Sequence, residues 1–373
     1  MAIATTRYHG LDALRGIAML LGVVLHSALP YMDLPKEIWP TDNRYSPVIS
    51  VVFEFIHIWR MPVFFILAGF FASLIIERYS WRYWWKNRLR RILLPLIIFS
   101  PLVTATLPWI WKYGQTGEVV FFYTLEGVFP GWHLWFLWHL MLFLLFTSLF
   151  IYIGAILKKI RLSFIVKCFS YLNLFSAVSK SRIFQSKFPI ALIIVFTFFN
   201  LGTGADLILN PIASGLYFAF GYGLYKSSSL FEFMKSHWKQ YLIASTVFFI
   251  LFLLVNSQGE ETISEEDVWG ILYVTLKVIN AVLFSYALIG LTEAKFGNQN
   301  SILRYVSDAS YWIYLIHLPL VTLITFSMFQ ITLFIEIKFM IAILLTSLIG
   351  FVTYKYFVRS TVIGILLNGK KLS

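Results

Sequence analysis

The sequence predicts an all-α, polytopic integral membrane protein with about ten transmembrane helices. Hydrophobic residues make up 59% of the 373 residues and charged residues only 13%, about half the charged share of an ordinary soluble domain. Apolar blocks recur along nearly the whole chain, and no polar stretch is long enough to form a water-soluble domain. These observations exclude a soluble globular enzyme and predict one membrane domain over residues 1–373.

A helix needs about 20 apolar residues to cross about 30 Å of hydrocarbon. Ten segments meet or approach that length, and the sixth and seventh are the shortest: 12–31, 48–76, 92–111, 132–157, 189–209, 212–225, 240–255, 268–291, 309–329 and 339–357. The first segment carries Arg15 and His26 and lacks a small-residue cleavage site. It is therefore predicted to be a retained helix and not a signal peptide.

The distribution of charge predicts the orientation of these spans. The net charge is +12, and most of the 30 Lys and Arg residues lie in alternate segments between the apolar blocks. Cytoplasmic loops of membrane proteins carry an excess of Lys and Arg, so both termini and the segments 77–91 and 158–188 are predicted to be cytoplasmic. Segment 158–188 is either an amphipathic helix on the inner leaflet or a solvated loop. Topology explains the basic clusters, so nucleic acid is not an expected partner.

The first span contains ionisable residues that mark a functional face. A charge at bilayer depth costs at least about 2.5–3.5 kcal/mol, so it normally faces a polar cavity. Arg15 and His26 are eleven positions apart, which places them on one helix face about 16 Å from each other. Ala18 and Gly22 lie between them, where small side chains let a neighbouring helix or a thin ligand approach. Asp12 lies at the edge of the same helix.

The second span supplies a predicted partner for His26. It runs back through the bilayer with Glu54, His57 and Arg60 at intervals of three, on one broad face. Glu54 and His26 are both about 8–9 Å below the outer surface. A carboxylate on one ring nitrogen fixes the tautomer of a histidine and stabilises its imidazolium. We therefore predict a catalytic pair of His26 and Glu54, with His57 and Arg60 lining the cavity.

The remaining buried histidines allow more than one interpretation. His317 is near mid-membrane and either lines the cavity or braces two helices through a hydrogen bond. His133 and His139 lie among tryptophans, and we interpret both as hydrogen-bonded structural residues in an interfacial aromatic belt. The sequence has one cysteine, Cys168, and no HExxH, Walker or GxGxxG motif, so no metal and no bound cofactor are expected.

Two arginines mark the cytoplasmic end of the third span. Arg88 and Arg91 are three positions apart and share a helix face. Guanidinium groups bind phosphates through two parallel hydrogen bonds, so the pair predicts a phosphorylated cytoplasmic ligand. The alternative is that these charges only orient the chain in the membrane.

Several motifs together resemble the acyltransferase family 3 of multi-spanning membrane proteins. They are Leu11–Arg15 followed by His26, Met61–Phe70, Arg88–Arg91 and Ser310–Pro319. The spacing Arg-x10-His is the most specific of these marks, and the resemblance extends from residue 11 to about residue 320. Segments His57–Arg60, Trp132–Leu137 and Arg359–Lys371 are similar to the glucan-biosynthesis branch of that family. Ala68 departs from the pattern, because many members have a serine before Gly69 and Phe70.

The resemblance implies an enzyme of the bacterial inner membrane. Such an enzyme transfers an acyl group, succinyl or acetyl, from cytoplasmic acyl-coenzyme A to a hydroxyl of a periplasmic or cell-envelope glycan, for example an osmoregulated periplasmic glucan. Acyl-coenzyme A is then a donor substrate held by Arg15, Arg88 and Arg91. The alternative is a proton-coupled transporter or a component of a glycan exporter, because intramembrane Arg, His and Glu also form relays. The lack of an evident inverted repeat favours the enzyme.

Overall fold

The computed structural model describes residues 7–121, 132–159, 181–198, 210–257 and 268–369, and its regular structure in these ranges is helical throughout. The α-helices are α1 (His9–Ala28), α2 (Pro47–Arg78), α3 (Trp81–Arg88), α4 (Leu94–Thr116), α5 (Trp135–Lys159), α6 (Arg182–Phe198), α7 (Pro211–Lys226), α8 (Ser228–Asn256), α9 (Val268–Phe296), α10 (Ser301–Ser327), α11 (Ile335–Thr353) and α12 (Val362–Asn368). The predicted all-α polytopic class is confirmed.

Eight helical segments among the described residues have the length and composition of a membrane span. The predicted spans 189–209 and 212–225 correspond to α6 with 17 residues and α7 with 16 residues, which are shorter than a crossing normally needs. Residues 199–209 lie outside the described part of the chain, as do most of segment 158–188 and the acidic run at 260–267. The number of ten spans and the cytoplasmic location of the termini therefore stay predictions.

The third predicted span is longer than expected at its basic end. Segment Trp81–Thr116 is one continuous helical stretch, in which a π-helical turn, Leu89–Leu93, joins α3 to α4. The basic residues predicted to precede the span are thus held on a helix. This arrangement gives Arg88 and Arg91 fixed positions at its end.

Helix α11 shows how the apolar surface divides between core and lipid. Met340, Leu344 and Leu348 form a stripe that is between 50% and 62% exposed. Ala342 and Thr346, on another face, are fully buried. Large apolar side chains are left exposed in this pattern when the surrounding solvent is a bilayer.

The described residues divide into two compact units. One unit is drawn from Met1–Arg60, Trp81–Trp138 and Asn298–Ser373, and the other from Met61–Ser80 and His139–Gly297. Helices α2 and α5 each pass from one unit into the other. Nothing in this division tests the prediction of a single functional domain.

Three helices of the first unit run parallel to one another. The Ser307 hydroxyl at the beginning of α10 donates to the Asp12 carbonyl near the beginning of α1, whereas His317, further along α10, contacts His26 near the end of α1. The ring of Phe326 near the end of α10 packs on Trp111 near the end of α4. Predicted spans one, three and nine therefore cross in the same direction as one another, as their order in the chain predicts. Their two ends form two distinct sites.

Helix α2 meets α1 through a stripe on one face. Ile49, Phe53 and Ile56 pack in one buried cluster with residues of the last turns of α1. The next position of the stripe, four residues on, is Arg60. Because 3.6 residues make a turn, intervals of four, three and four keep these side chains on one face.

The second unit contains close helix contacts made possible by glycine. A Cβ atom at Gly69 of α2 would overlap the Phe218 carbonyl oxygen of α7, and one at Gly221 of α7 would overlap the Ile66 carbonyl oxygen. Within this unit a hydrogen bond of 2.9 Å joins Nδ1 of His139 and the Ser214 hydroxyl. This is the bond expected of a structural histidine.

Candidate active site

Three histidines of the first unit meet near the end of α1. The ring centroids are 5.0 Å apart for His26 and His317, 4.9 Å for His133 and His317, and 6.5 Å for His26 and His133. His317 and His133 are buried, whereas His26 is partly accessible. His26 is therefore the most accessible member of the cluster.

Hydrogen bonds assign the tautomers of this cluster. His317 donates from Nδ1 to the Tyr314 carbonyl oxygen at 2.7 Å, so its Nε2 is an acceptor in the neutral ring. His26 Nδ1 lies 2.9 Å from that Nε2 and must be the donor. The lone pair of His26 is then on Nε2. A histidine held in this way is set to accept a proton at Nε2, which is the requirement for a general base.

His26 has a partner at Nδ1 that the sequence did not predict. His317 Nε2 lies 2.9 Å from that nitrogen, whereas the sequence predicted Glu54 on one of the two ring nitrogens. Three-residue intervals drift by about 60° each, so Arg60 is about 120° around α2 from Glu54. The stripe that faces α1 passes through Arg60. His57 packs against the Phe53 ring at 4.8 Å on its own helix, and the catalytic role of Glu54 stays a prediction.

Gly22 has a role that its size explains. A Cβ atom there would lie 2.8 Å from Nη1 of Arg60 and 3.5 Å from Nε2 of His317. The small residue on the Arg15–His26 face thus makes room for a guanidinium from α2. The sequence allowed either a neighbouring helix or a thin ligand to approach this face. At Gly22 the structure favours the neighbouring helix.

His133 belongs to this cluster, which sequence reasoning missed. Its Nε2 donates to the Tyr314 carbonyl at 3.0 Å, and the Tyr314 hydroxyl donates back to the His133 carbonyl at 2.8 Å. Nδ1 of His133 is buried with no hydrogen-bond partner among the described residues. Its place at the outer end of the fourth predicted span, near the depth of His26, was the available signal.

The three rings do not form a metal site. Both nitrogens of His317 and Nε2 of His133 are used in hydrogen bonds, and the buried Arg60 lies beside them. No group of metal-ligating side chains suitable for an ion occurs among the described residues.

A tryptophan from the loop after α1 lies over His26. The Trp39 ring stacks on the His26 ring with centroids 6.1 Å apart and an interplanar angle of 13°, and it packs edge-on against Trp111 at 4.5 Å. Its Nε1 is buried and has no hydrogen-bond partner among the described residues. Beside this ring is a pocket of about 210 Å³, lined by Lys36, Glu37, Pro40, Thr41, Gly114 and Gln115. No pattern in the sequence predicts where this loop lies.

The other end of the parallel helices carries the predicted arginine cluster. Arg15 and Arg91 are both close enough to Arg88 to act on its charge. Nε and Nη2 of Arg88 are buried without a hydrogen-bond partner among the described residues. Asp12 pairs with Arg15 at 3.4 Å and with Arg7 at 3.0 Å. The structure thus brings together the three arginines that the sequence analysis proposed to act together.

Backbone geometry fixes Arg91. Pro95, four residues later, has no N–H, so the Arg91 carbonyl lacks its usual helical partner. That carbonyl instead accepts a hydrogen bond of 2.5 Å from the Tyr311 hydroxyl. The Arg91 side chain donates from Nε to the Leu367 carbonyl at 2.9 Å. Arg91 is therefore partly committed to the C-terminal helix α12, whereas Arg88 is not.

Comparisons with known proteins identify relatives over most of the chain. A family model described as an acyltransferase domain matches residues 8–355. The glucans biosynthesis protein C of Escherichia coli strain K12 is 25% identical over 347 residues, which cover 85% of this chain and 83% of that protein. The protein of the same description from Escherichia coli O157:H7 is 24% identical over the same shares. No solved structure shows significant similarity to the chain.

Proposed function

This chain belongs to the acyltransferase 3 family and is a membrane acyltransferase, and from that premise we propose what it transfers and how. The donor is cytoplasmic acyl-coenzyme A, and the acceptor is a hydroxyl of a glucan or a related cell-envelope glycan outside the bacterial inner membrane. The acyl group is succinyl or acetyl. The observation that carries the proposal is the His26–His317 hydrogen bond, because it leaves His26 Nε2 free to accept a proton.

The reaction follows from that lone pair. His26 Nε2 removes the proton of the acceptor hydroxyl as the oxygen bonds to the thioester carbonyl carbon. The C–S bond then breaks, and the imidazolium returns the proton to the departing sulfur. His317 supports this cycle because its Nε2 accepts the Nδ1 hydrogen of His26 throughout. Proton and leaving group are both accounted for without a cofactor.

The arginine cluster supports a phosphorylated donor. Three guanidinium groups from α1 and from the Trp81–Thr116 stretch repel one another, and such a cluster is stabilised when an anion binds. Unpartnered N–H groups of Arg88 are the donors best placed for a phosphate. Arg15 and His26 are about 16 Å apart along α1, a distance that the thin arm of coenzyme A can cover from phosphate to thioester.

The loop around Trp39 supports a carbohydrate acceptor. Indole has a large apolar face, which suits the C–H face of a sugar ring. The neighbouring pocket offers the side chains of Lys36, Glu37 and Gln115 as hydrogen-bonding groups. Because Trp39 stacks on His26, the loop that borders this pocket also borders the base. The names of the relatives favour a glucan as that acceptor.

Mass spectrometry of glycans tests this proposal. Membranes containing the protein are supplied with succinyl-coenzyme A or acetyl-coenzyme A and a periplasmic glucan, and membranes containing His26→Ala serve as the control. We expect the glucan to gain the mass of the acyl group, with one coenzyme A released per group, only with the unaltered protein. Transport of the glucan without covalent change, or equal acylation by His26→Ala, would contradict the proposal.

A further inference from the structure

The buried guanidinium of Arg60 is the feature of the site that the proton transfer does not explain. Arg60 as a whole is 9% exposed, and its side chain reaches α1 at Gly22, one helical turn before His26. Nε2 of His317 lies beside the same glycine. A permanent positive charge is thus held next to the proposed base.

No anionic side chain compensates this charge among the described residues. Nε of Arg60 has no hydrogen-bond partner there, and the acidic group that acts on it is the Tyr314 hydroxyl. That hydroxyl donates its hydrogen to the His133 carbonyl. Arginine remains charged when buried, and a buried charge is normally paired. The site therefore has a place for an anion that no described side chain fills.

The proposed reaction creates an anion at this place. Attack of the hydroxyl on the thioester moves the C=O electron pair onto the carbonyl oxygen, which becomes an oxyanion while His26 takes the proton. When the C–S bond breaks, the C=O bond forms again and the negative charge disappears. Donors aimed at such a transient charge in a site without water lower the barrier strongly.

We propose, on the basis of the proposed function, that Arg60 is the catalytic residue that binds the oxyanion of the tetrahedral intermediate. Gly22 belongs to this arrangement, because only the absence of a Cβ lets Nη1 of Arg60 approach α1. The alternative use of a cation here is to bind the carboxylate of a dicarboxylic acyl group such as succinyl. The two uses differ in a measurable way, because one acts on the transition state of every donor and the other on the binding of one donor.

Steady-state kinetics with two donors test the assignment. Arg60→Gln is compared with the unaltered enzyme using acetyl-coenzyme A and succinyl-coenzyme A at saturating glucan. We expect kcat to fall about 100-fold or more with both donors, the loss typical of an oxyanion donor, and each donor KM to change less than about 3-fold. Arg60→Lys should recover part of kcat, and millimolar guanidinium should restore part of the activity of Arg60→Ala.

A second variant and matched controls keep the test decisive. Gly22→Ala retains the charge but displaces Nη1, so kcat should fall with both donors; Gly154→Ala, where a Cβ meets no atom within 4 Å, should have no effect. Gly22→Ala decides the question if Arg60→Gln does not fold. Unchanged kcat, or a loss confined to the KM for succinyl-coenzyme A, would overturn the assignment. If the unaltered protein acylates no glucan, the proposed function itself fails.

Discussion

Lys338 donates from Nζ to Asp42 across 2.7 Å, and both side chains are almost entirely buried. Lys338 is in the first turn of α11, and Asp42 is in the loop after α1. The Ser46 hydroxyl of the same loop donates to Glu336 at 2.7 Å. These contacts fix both the loop that carries Trp39 and its position over His26.

Loss of Asp42 should destabilise the protein more than loss of Lys338. Asp42→Asn leaves the Lys338 ammonium buried without a counter-charge and should cost about 3–5 kcal/mol. Lys338→Met should cost less, because Arg44 is 3.9 Å from Asp42 and partly replaces the lysine. The thermal unfolding midpoint of the detergent-solubilised protein measures the difference. Lys235→Met, which removes an exposed ion pair, is the control and should shift the midpoint little; equal losses for the two buried variants would contradict the asymmetry.

Replacement of His317 should reveal its role as an acceptor. His317→Gln offers an amide oxygen to Nδ1 of His26, whereas His317→Leu leaves that N–H without an acceptor. We expect kcat to fall about 100-fold or more for Leu and less than about 10-fold for Gln, since general-base catalysis contributes about 10²–10⁴-fold. His237→Gln, a histidine bonded within its own helix, should leave kcat unchanged. Equal activity of the Gln and Leu variants would remove His317 from the mechanism.

Arg88 should contribute more to donor binding than Arg91. The Arg88 side chain has free buried donors, whereas Nε of Arg91 is bonded to Leu367. Arg88→Lys should raise the KM for acyl-coenzyme A about 10-fold or more, as expected for loss of a charged hydrogen bond worth about 1.5–3 kcal/mol. The KM for glucan should not change, and Arg90→Lys, at an exposed position, is the matched control. If Arg88→Lys and Arg91→Lys both keep the donor KM of the unaltered enzyme, the cluster serves orientation alone.

Trp39 should affect the acceptor and not the donor. Trp39→Ala removes the ring stacked on His26, so the KM for glucan should rise by about 3–10-fold, the value of an aromatic contact of about 0.5–1.5 kcal/mol. The KM for glucan of Trp39→Phe should lie between that of the unaltered enzyme and that of Trp39→Ala. Tyr45→Ala, an exposed aromatic residue of the same loop, should not change either KM. An increase in the donor KM alone would place the acceptor elsewhere.

Thiol labelling checks the predicted orientation. In a Cys168→Ser background, cysteine is introduced at Ile38 or at Arg82, both of which are exposed positions. The first should react with an impermeant reagent once the outer barrier is opened, and the second only after the inner membrane is broken. The reverse result would place the arginine cluster outside and exclude a cytoplasmic donor at that end.

The sequence determined the features that depend on one contiguous segment. The length and hydropathy of each apolar segment predict a membrane helix, because a segment of about 20 apolar residues is long enough to cross the hydrocarbon core. The spacing of Arg15 and His26 fixed their common face and their separation along α1. The arginines at the basic end of the third span could be identified from the sequence, because Lys and Arg are concentrated in the cytoplasmic segments that flank membrane spans.

Tertiary structure alone decided which groups surround His26. The contact with His317 joins residues 291 positions apart, and it depends on how α1 and α10 are rotated about their own axes. Arg60 reached the site because, four residues after Ile56, its side chain returns to the face of α2 that packs on α1. Trp39 and Asp42 belong to a loop whose sequence has no helical period, so only its contacts with Lys338 and His26 define its position.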